Sequence, residues 1–121
     1  MILVDTSVWI DHLRAGDAQL AARLEAGEVC IHPFVLGELA CGNLRNRSEV
    51  LGLLGRLPAV VAATDAEAMA FIERRALMGR GLGFLDVHLL ASVALASPTR
   101  LWTRDKRLAA VATELSLAGT P

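Results

Sequence analysis

Several protein classes are excluded by what this chain lacks. It holds only two cysteines, Cys30 and Cys41, both in apolar surroundings and without metal-knuckle spacing, so neither a disulfide framework nor a zinc ribbon is available. Long apolar runs are missing too. The longest stretch free of Asp, Glu, Lys and Arg is Val87 to Thr99, thirteen residues, against the roughly 20 that a membrane-spanning helix needs. No basic residue precedes Asp5, so a secretory leader is not expected at the start, and the reading is a cytoplasmic protein with no membrane contact. Charge of one sign is not in excess: twelve basic residues face thirteen acidic ones, which by itself predicts no polyanionic partner. Tyrosine is absent and aromatic residues make up 4%.

What is present suits a packed globular domain. Hydrophobic residues reach 54% and charged residues 21%, a balance foreign to disordered chains. A length of 121 residues fits one domain, residues 1–121, on a scale of roughly 100–200 residues per domain. Eleven of the twelve basic residues are arginine, whose planar fork suits phosphate, although a GC-rich genome produces the same bias.

Along the chain, short apolar runs alternate with helical patterns. Met1 to Val4 reads as a buried strand ending at Asp5, followed by a helix from Ser7 to Arg14 and a second one capped by Asp17 and running through Leu24. Val29 to Ile31 is the next strand. Pro33 then suits the first turn of a helix reaching about Leu44, which carries Glu38. Ser48 caps a helix to Leu57, and Ala59 to Ala63 forms a third strand. Thr64 with Glu67 makes a capping box for a helix from Asp65 to about Met78. After the loop from Gly79 to Gly83, an apolar helix runs from Phe84 to Ala96 with Asp86 in its first turn. Arg100 to Thr103 is a fourth strand, Asp105 to Thr113 a helix and Leu115 to Ala118 a weak fifth strand. Short strands that are apolar at nearly every position belong to a parallel sheet covered on both faces. The expected fold is therefore α/β, a three-layer α/β/α sandwich around a mainly parallel sheet of four to five strands.

Four acids stand in structured or apolar places: Asp5, Glu38, Asp86 and Asp105. Each alone has an ordinary explanation as a helix cap, a solvated charge or a partner of a helix dipole. Together they say more. Asp5 and Asp105 follow strands whose carboxyl ends share the edge where such sheets bind ligands. Converging carboxylates require a neutralising cation, and an all-oxygen donor set selects magnesium or manganese. Gathering these acids in one site also leaves the rest of the molecule net basic.

The segments MILVDTSVWIDHL, PFVLGELACGNL, FLDVHLLASVAL and LWTRDKRL together resemble the PIN domain, most closely the VapC toxins of bacterial toxin–antitoxin pairs. The resemblance spans essentially the whole chain. It departs from the usual pattern after the third acid, where His88 and the run LLAS stand in place of isoleucine-alanine-alanine. It implies an endoribonuclease dependent on Mg2+ or Mn2+, with Asp5, Glu38, Asp86 and Asp105 as the catalytic quartet. Asp5, Asp86 and Asp105 are then the metal ligands, Glu38 holds a water or helps deprotonate it, and Thr6 and Thr103 are supporting hydroxyls. Such a centre acidifies a water for in-line attack and leaves a 5′-phosphate and a 3′-hydroxyl.

An RNA substrate also needs cations. Arg45, Arg47, Arg74, Arg75, Arg80, Arg104, Lys106 and Arg107 fall in helix ends and loops, and Arg104, Lys106 and Arg80 are the leading RNA-contact candidates. Trp9 and Trp102 read as core residues, and His12, His32 and His88 as structural. Asp11 reads as exposed, a weak candidate for an antitoxin or RNA contact. The resemblance further implies a homodimer and a cognate VapB-like antitoxin that presents an arginine to the acids and alone contacts DNA. Apolar surface for partners is offered around Trp9 and by the helix from Ser48. A phosphorelay receiver and a haloacid-dehalogenase-type phosphatase are disfavoured, the first for want of an early acidic pair and the second because Ser7 occupies the position of its second acid. The alternatives that survive are a housekeeping PIN nuclease that processes RNA and a catalytically weak PIN-fold RNA-binding or interaction subunit.

Overall fold

The computed structural model describes residues 1–119. Three short parallel strands, β1 (Ile2–Val4), β2 (Val29–Cys30) and β3 (Arg100–Trp102), are ordered β2-β1-β3. Ile2, Leu3 and Val4 stand opposite Arg100, Leu101 and Trp102, while Ile2 and Leu3 stand opposite Val29 and Cys30. All three residues of β1 are buried. Because successive side chains point to opposite faces, both faces of the central strand are covered, as an α/β/α arrangement requires.

The strand count is lower than the four to five expected. The apolar runs at Ala59 and at Ala118 reach the sheet only as single parallel bridges, Ile31 to Ala59 and Leu101 to Ala118. Val61 is 83% exposed, so the run from Ala59 to Ala63 has only part of the apolar surroundings that a buried strand has.

Among the described residues seven helices flank the sheet: α1 (Thr6–Ala15), α2 (Ala18–Glu25), α3 (Pro33–Ala40), α4 (Arg47–Leu54), α5 (Asp65–Arg75), α6 (Phe84–Leu95) and α7 (Lys106–Glu114). Local chemistry sets several of their ends. The Asp17 side chain accepts the Leu20 N–H at the start of α2, and the Thr64/Glu67 capping box closes on α5 with both bonds present. Two expectations are corrected. Helix α3 stops at Ala40 rather than reaching Leu44, because the chain turns at Cys41 and Gly42. Helix α4 is entered through Asn46 in the left-handed region, with φ of 53°, so Ser48 lies inside the helix and is not its cap.

Helix α6 is buried continuously from Val87 through Val93, the pattern of a core helix rather than a surface one. It carries a polar knot. Ser92 Oγ donates to the His88 carbonyl at 2.7 Å, accepts the Ala63 N–H at 2.9 Å, and lies 3.2 Å from His32 Nε2. Its one proton is spent on His88, so His32 Nε2 must be the donor; Nδ1 is then free to accept the Phe34 N–H at 3.0 Å, which defines the tautomer. Burial, with the nearby His88 second, lowers the His32 pKa from 6.5 to about 4.

No helix among the described residues is long and apolar enough to cross a membrane.

Candidate active site

The strand order reverses about β1. The chain leaves β1 towards β2 on one side and returns through β3 on the other, and a crevice at the carboxyl ends of such strands is where ligands bind. Asp5 leaves β1 here, and Thr103 to Asp105 leave β3.

Asp5 is 7% exposed. It occupies the cap position of α1 yet makes no capping hydrogen bond, which removes the ordinary explanation for an acid there. Its Oδ2 instead accepts two hydroxyls, Ser7 Oγ at 2.8 Å and Thr103 Oγ1 at 2.8 Å. With both protons spent on Asp5, the 3.4 Å approach of Ser7 Oγ to Thr103 Oγ1 is a contact without a hydrogen between the oxygens. Both hydroxyls also accept from the β3–α7 connection: Ser7 Oγ takes the Arg104 N–H at 3.0 Å and Thr103 Oγ1 takes the Asp105 N–H at 3.1 Å. The two hydroxyls thereby tie the carboxylate after β1 to the backbone that carries Asp105.

Ser7 had no place among the expected site residues. Its position two residues after a strand-ending acid, in the first turn of a helix, was the available signal.

The other acids are held locally. Thr6 Oγ1 donates to Glu38 Oε1 at 2.8 Å, joining α1 to α3. Asp86 Oδ2 accepts the N–H of Gly83 at 3.1 Å, and Asp105 Oδ1 caps α7 through the Leu108 N–H at 3.0 Å. For Asp86 and Asp105 the helix-end explanation therefore accounts for one oxygen and leaves the other.

The four carboxylates nonetheless share one electrostatic environment. Burial raises the Asp86 carboxyl above the usual range, the Gly83 N–H opposes that rise, and the negative charges of Asp5, Asp105 and Glu38 add to it. None of the four has a cationic partner among the described ion pairs. They face one another at electrostatic rather than coordination range, since no group of three or more His, Cys, Asp or Glu among the described residues stands at ion-binding spacing. The donor set itself, four carboxylates with the hydroxyls of Thr6, Ser7 and Thr103, is one that hard divalent cations favour. Mutually repelling acids without a counter-charge are what such a cation would neutralise, so the residues present fit one.

The candidate RNA contacts divide. Arg104 is engaged: its guanidinium pairs with Asp11 Oδ2 at 2.7 Å and with Asp17 Oδ2, and lies 5.7 Å from the centre of the Trp102 ring. Asp11 is accordingly an ion-pair partner rather than a free surface charge. Arg80 pairs with Glu114 at 2.9 Å. Lys106 is exposed and has no ion pair among those described. Trp9 and Trp102 are core residues, 2% and 5% exposed, as their apolar surroundings suggested.

Beside Glu38 a cleft of about 670 Å³ opens between α1 and the start of α4, with Ile10, Leu13, Asn43, Asn46 and Val50 among its walls.

The PIN domain family matches residues 2–114. The chain is also similar to Ribonuclease VapC32 from two strains of Mycobacterium tuberculosis, at 52% identity over 118 residues, which span 98% of this chain and 95% of the relative.

Proposed function

The chain belongs to the PIN-domain family and, within it, to the VapC ribonucleases, and from that premise we propose that it is a divalent-metal-dependent endoribonuclease acting as the toxin of a toxin–antitoxin pair. The observation that carries the metal dependence is the uncompensated quartet, with Asp86 pushed up by burial and by the other three acids.

In this reading Asp5, Asp86 and Asp105 hold Mg2+ or Mn2+. When bound, the cation acidifies a water and neutralises charge on the phosphodiester. Ser7 and Thr103 fix the Asp5 carboxylate and the loop that carries Asp105. Glu38, steadied by Thr6, accepts a proton from the attacking water. In-line attack forms the new P–O bond as the P–O3′ bond breaks, the departing 3′-oxygen takes a proton from solvent, and the ends are a 5′-phosphate and a 3′-hydroxyl. Lys106 meets the RNA backbone, and Arg80 and Arg104 exchange carboxylate partners for phosphate, a change that exposed ion pairs of small net worth permit.

The protein works in the cytoplasm as a homodimer and a single domain over residues 1–121. It is neutralised by a VapB-like antitoxin, through which alone it meets DNA. The apolar wall of Ile10 and Leu13, 43% and 36% exposed, suits the antitoxin's wrapping segment, and the neighbouring Glu38 suits an arginine carried on it.

The test is to incubate antitoxin-free protein with total bacterial RNA in Mg2+ or Mn2+, with a chelator and Asp86→Asn as controls, and to map the new 5′ ends by sequencing. Discrete, chelator-sensitive cuts bearing 5′-phosphates and absent in the variant are expected. Folded protein that makes no cuts in either metal would return the assignment to an RNA-binding subunit.

A further inference from the structure

The chain has no tyrosine and three phenylalanines. Phe71 and both tryptophans are buried, but Phe34 is 37% exposed and Phe84 44% exposed. In a protein this poor in aromatic rings, leaving two of them half in water is a cost that the core does not explain.

Both rings are close to the acids in the chain. Phe34 lies in the first turn of α3, one turn before Glu38, and Phe84 opens α6, two residues before Asp86. Both also touch His88, which is 2% exposed. The ring centres of Phe34 and His88 are 4.9 Å apart at 70°, and those of Phe84 and His88 are 4.7 Å apart at 83°. These edge-to-face contacts are a favoured aromatic geometry. Asp65 Oδ1 stands 2.9 Å from His88 Nε2 but out of line, so neither ring nitrogen has a hydrogen-bond partner. Packing rather than hydrogen bonding fixes His88, and His88 in turn fixes the orientation of both exposed rings.

A cation lies on the loop before Phe84. The Arg107 side chain lies over the loop that leads into Phe84, where a Cβ on Gly81 would come within 3.0 Å of Arg107 Cδ and Nη1. Arg107 has no ion pair among those described.

We propose that Phe84 and Phe34, braced by His88 and with Arg107 over the loop that leads into Phe84, form a stacking platform for an unpaired nucleobase of RNA adjacent to the phosphodiester at the acids. The inference deepens the nuclease reading and rests on it. Exposed aromatic faces next to a basic side chain are how proteins hold single-stranded nucleic acid with little sequence preference. A second copy of the chain is the competing occupant of the same apolar surface. A two-fold contact would set this patch against itself and bring Arg107 no phosphate, whereas RNA supplies one.

The experiment measures the anisotropy of fluorescein-labelled oligo(A) and oligo(U) RNA titrated with the full chain in an Asp86→Asn background, which should bind without cutting. Phe84→Ala and Phe84→Leu are expected to weaken oligo(A) binding roughly five- to hundredfold, and oligo(U) binding less. Phe84→Trp should retain affinity, and its indole fluorescence should be quenched by added RNA. Sedimentation should be the same for every variant. Phe84→Leu keeps an apolar side chain of similar size, so its loss isolates stacking from folding. If the parent binds RNA and both non-aromatic variants bind equally well, the platform falls while the nuclease reading stands. A change in sedimentation on substituting Phe84 assigns the surface to a second copy and overturns the proposal. If the folded parent binds neither RNA, the nuclease reading fails and this inference fails with it.

Discussion

Two acidic regions of this molecule are treated in opposite ways. At the corner between α1 and α2, Asp11 and Asp17 share the guanidinium of Arg104. Asp17 also caps α2, and its carboxyl is held below the ordinary value chiefly by the Leu20 N–H and by Arg104. Asp5, Glu38, Asp86 and Asp105 receive hydroxyls and backbone N–H groups but no cation among the described residues, and the Asp86 carboxyl moves up instead. The chain supplies an arginine where negative charge serves structure. Where it withholds one, the charge is left for something from outside, and that difference supports a metal and substrate site better than the count of acids does.

The largest expected effect separates the two regions by activity. Asp86→Asn should lower RNA cleavage by more than roughly a hundredfold, beyond what losing an outer partner of a metal ligand costs, whereas Asp11→Asn should leave cleavage near the parent rate. The metal-free Asp86→Asn protein should also melt higher near neutral pH. A carboxyl whose folded pKa is raised loses stability as pH rises through that pKa, and the amide removes this loss. Matched cleavage rates and melting curves for the pair would break the comparison.

Next in size is the pH dependence of the buried knot. His32 is neutral when folded, and its pKa falls from 6.5 to about 4. Its stabilising contribution is therefore fully present above about 6.5 and is lost as pH falls towards about 4, when proton uptake at Nδ1 ejects the Phe34 N–H. The loss is on the order of 3 kcal/mol across that window. Urea midpoints measured at several pH values should fall there for the parent, and His32→Asn, which keeps an acceptor for Phe34, should flatten that part of the curve.

Smaller is the effect of Ser7→Ala, which removes one donor from Asp5 and the acceptor of the Arg104 N–H. Cleavage should drop about ten- to hundredfold, with a stability loss of about 1 kcal/mol. Measuring both on the same preparation distinguishes a misplaced carboxylate from a weakened fold. Smallest is Arg104→Gln, because exposed ion pairs contribute about 1 kcal/mol or less. A loss of RNA affinity well beyond that stability change would show that Arg104 serves substrate as well as its two aspartates.

Much of this was legible in the sequence, for identifiable reasons. Apolar runs that stop at an acid gave β1 with Asp5, and the Thr64/Glu67 spacing gave the start of α5, because both are local signals. Asp5 and Asp105 could be placed on one edge because parallel strands align their carboxyl ends, while Glu38 and Asp86 joined them only through the family resemblance. The ends of α3 and α4 were misread: Gly42 and the left-handed Asn46 act through a turn that the apolar pattern does not register. The strands at Ala59 and Ala118 dwindled to single bridges since pairing depends on neighbours that lie far away in the chain. The Arg104 pairs and the bond from the Arg104 N–H to Ser7 were missed for the same reason, as the partners lie 80 or more positions off. Where the sequence departs from the family pattern, Ser92 proved to be the centre of a buried knot and His88 a packing partner of Phe34 and Phe84.

The central claim is that the uncompensated edge is a metal centre. It is tested most directly by soaking Mn2+ into crystals of the protein and of its Asp86→Asn variant and recording anomalous difference maps. We expect a manganese peak among the carboxylates of Asp5, Asp86 and Asp105, with those side chains turned towards it, and its loss or marked weakening in the variant. A well-diffracting crystal of the parent with no peak at that edge, or an equal peak in the variant, would contradict the account.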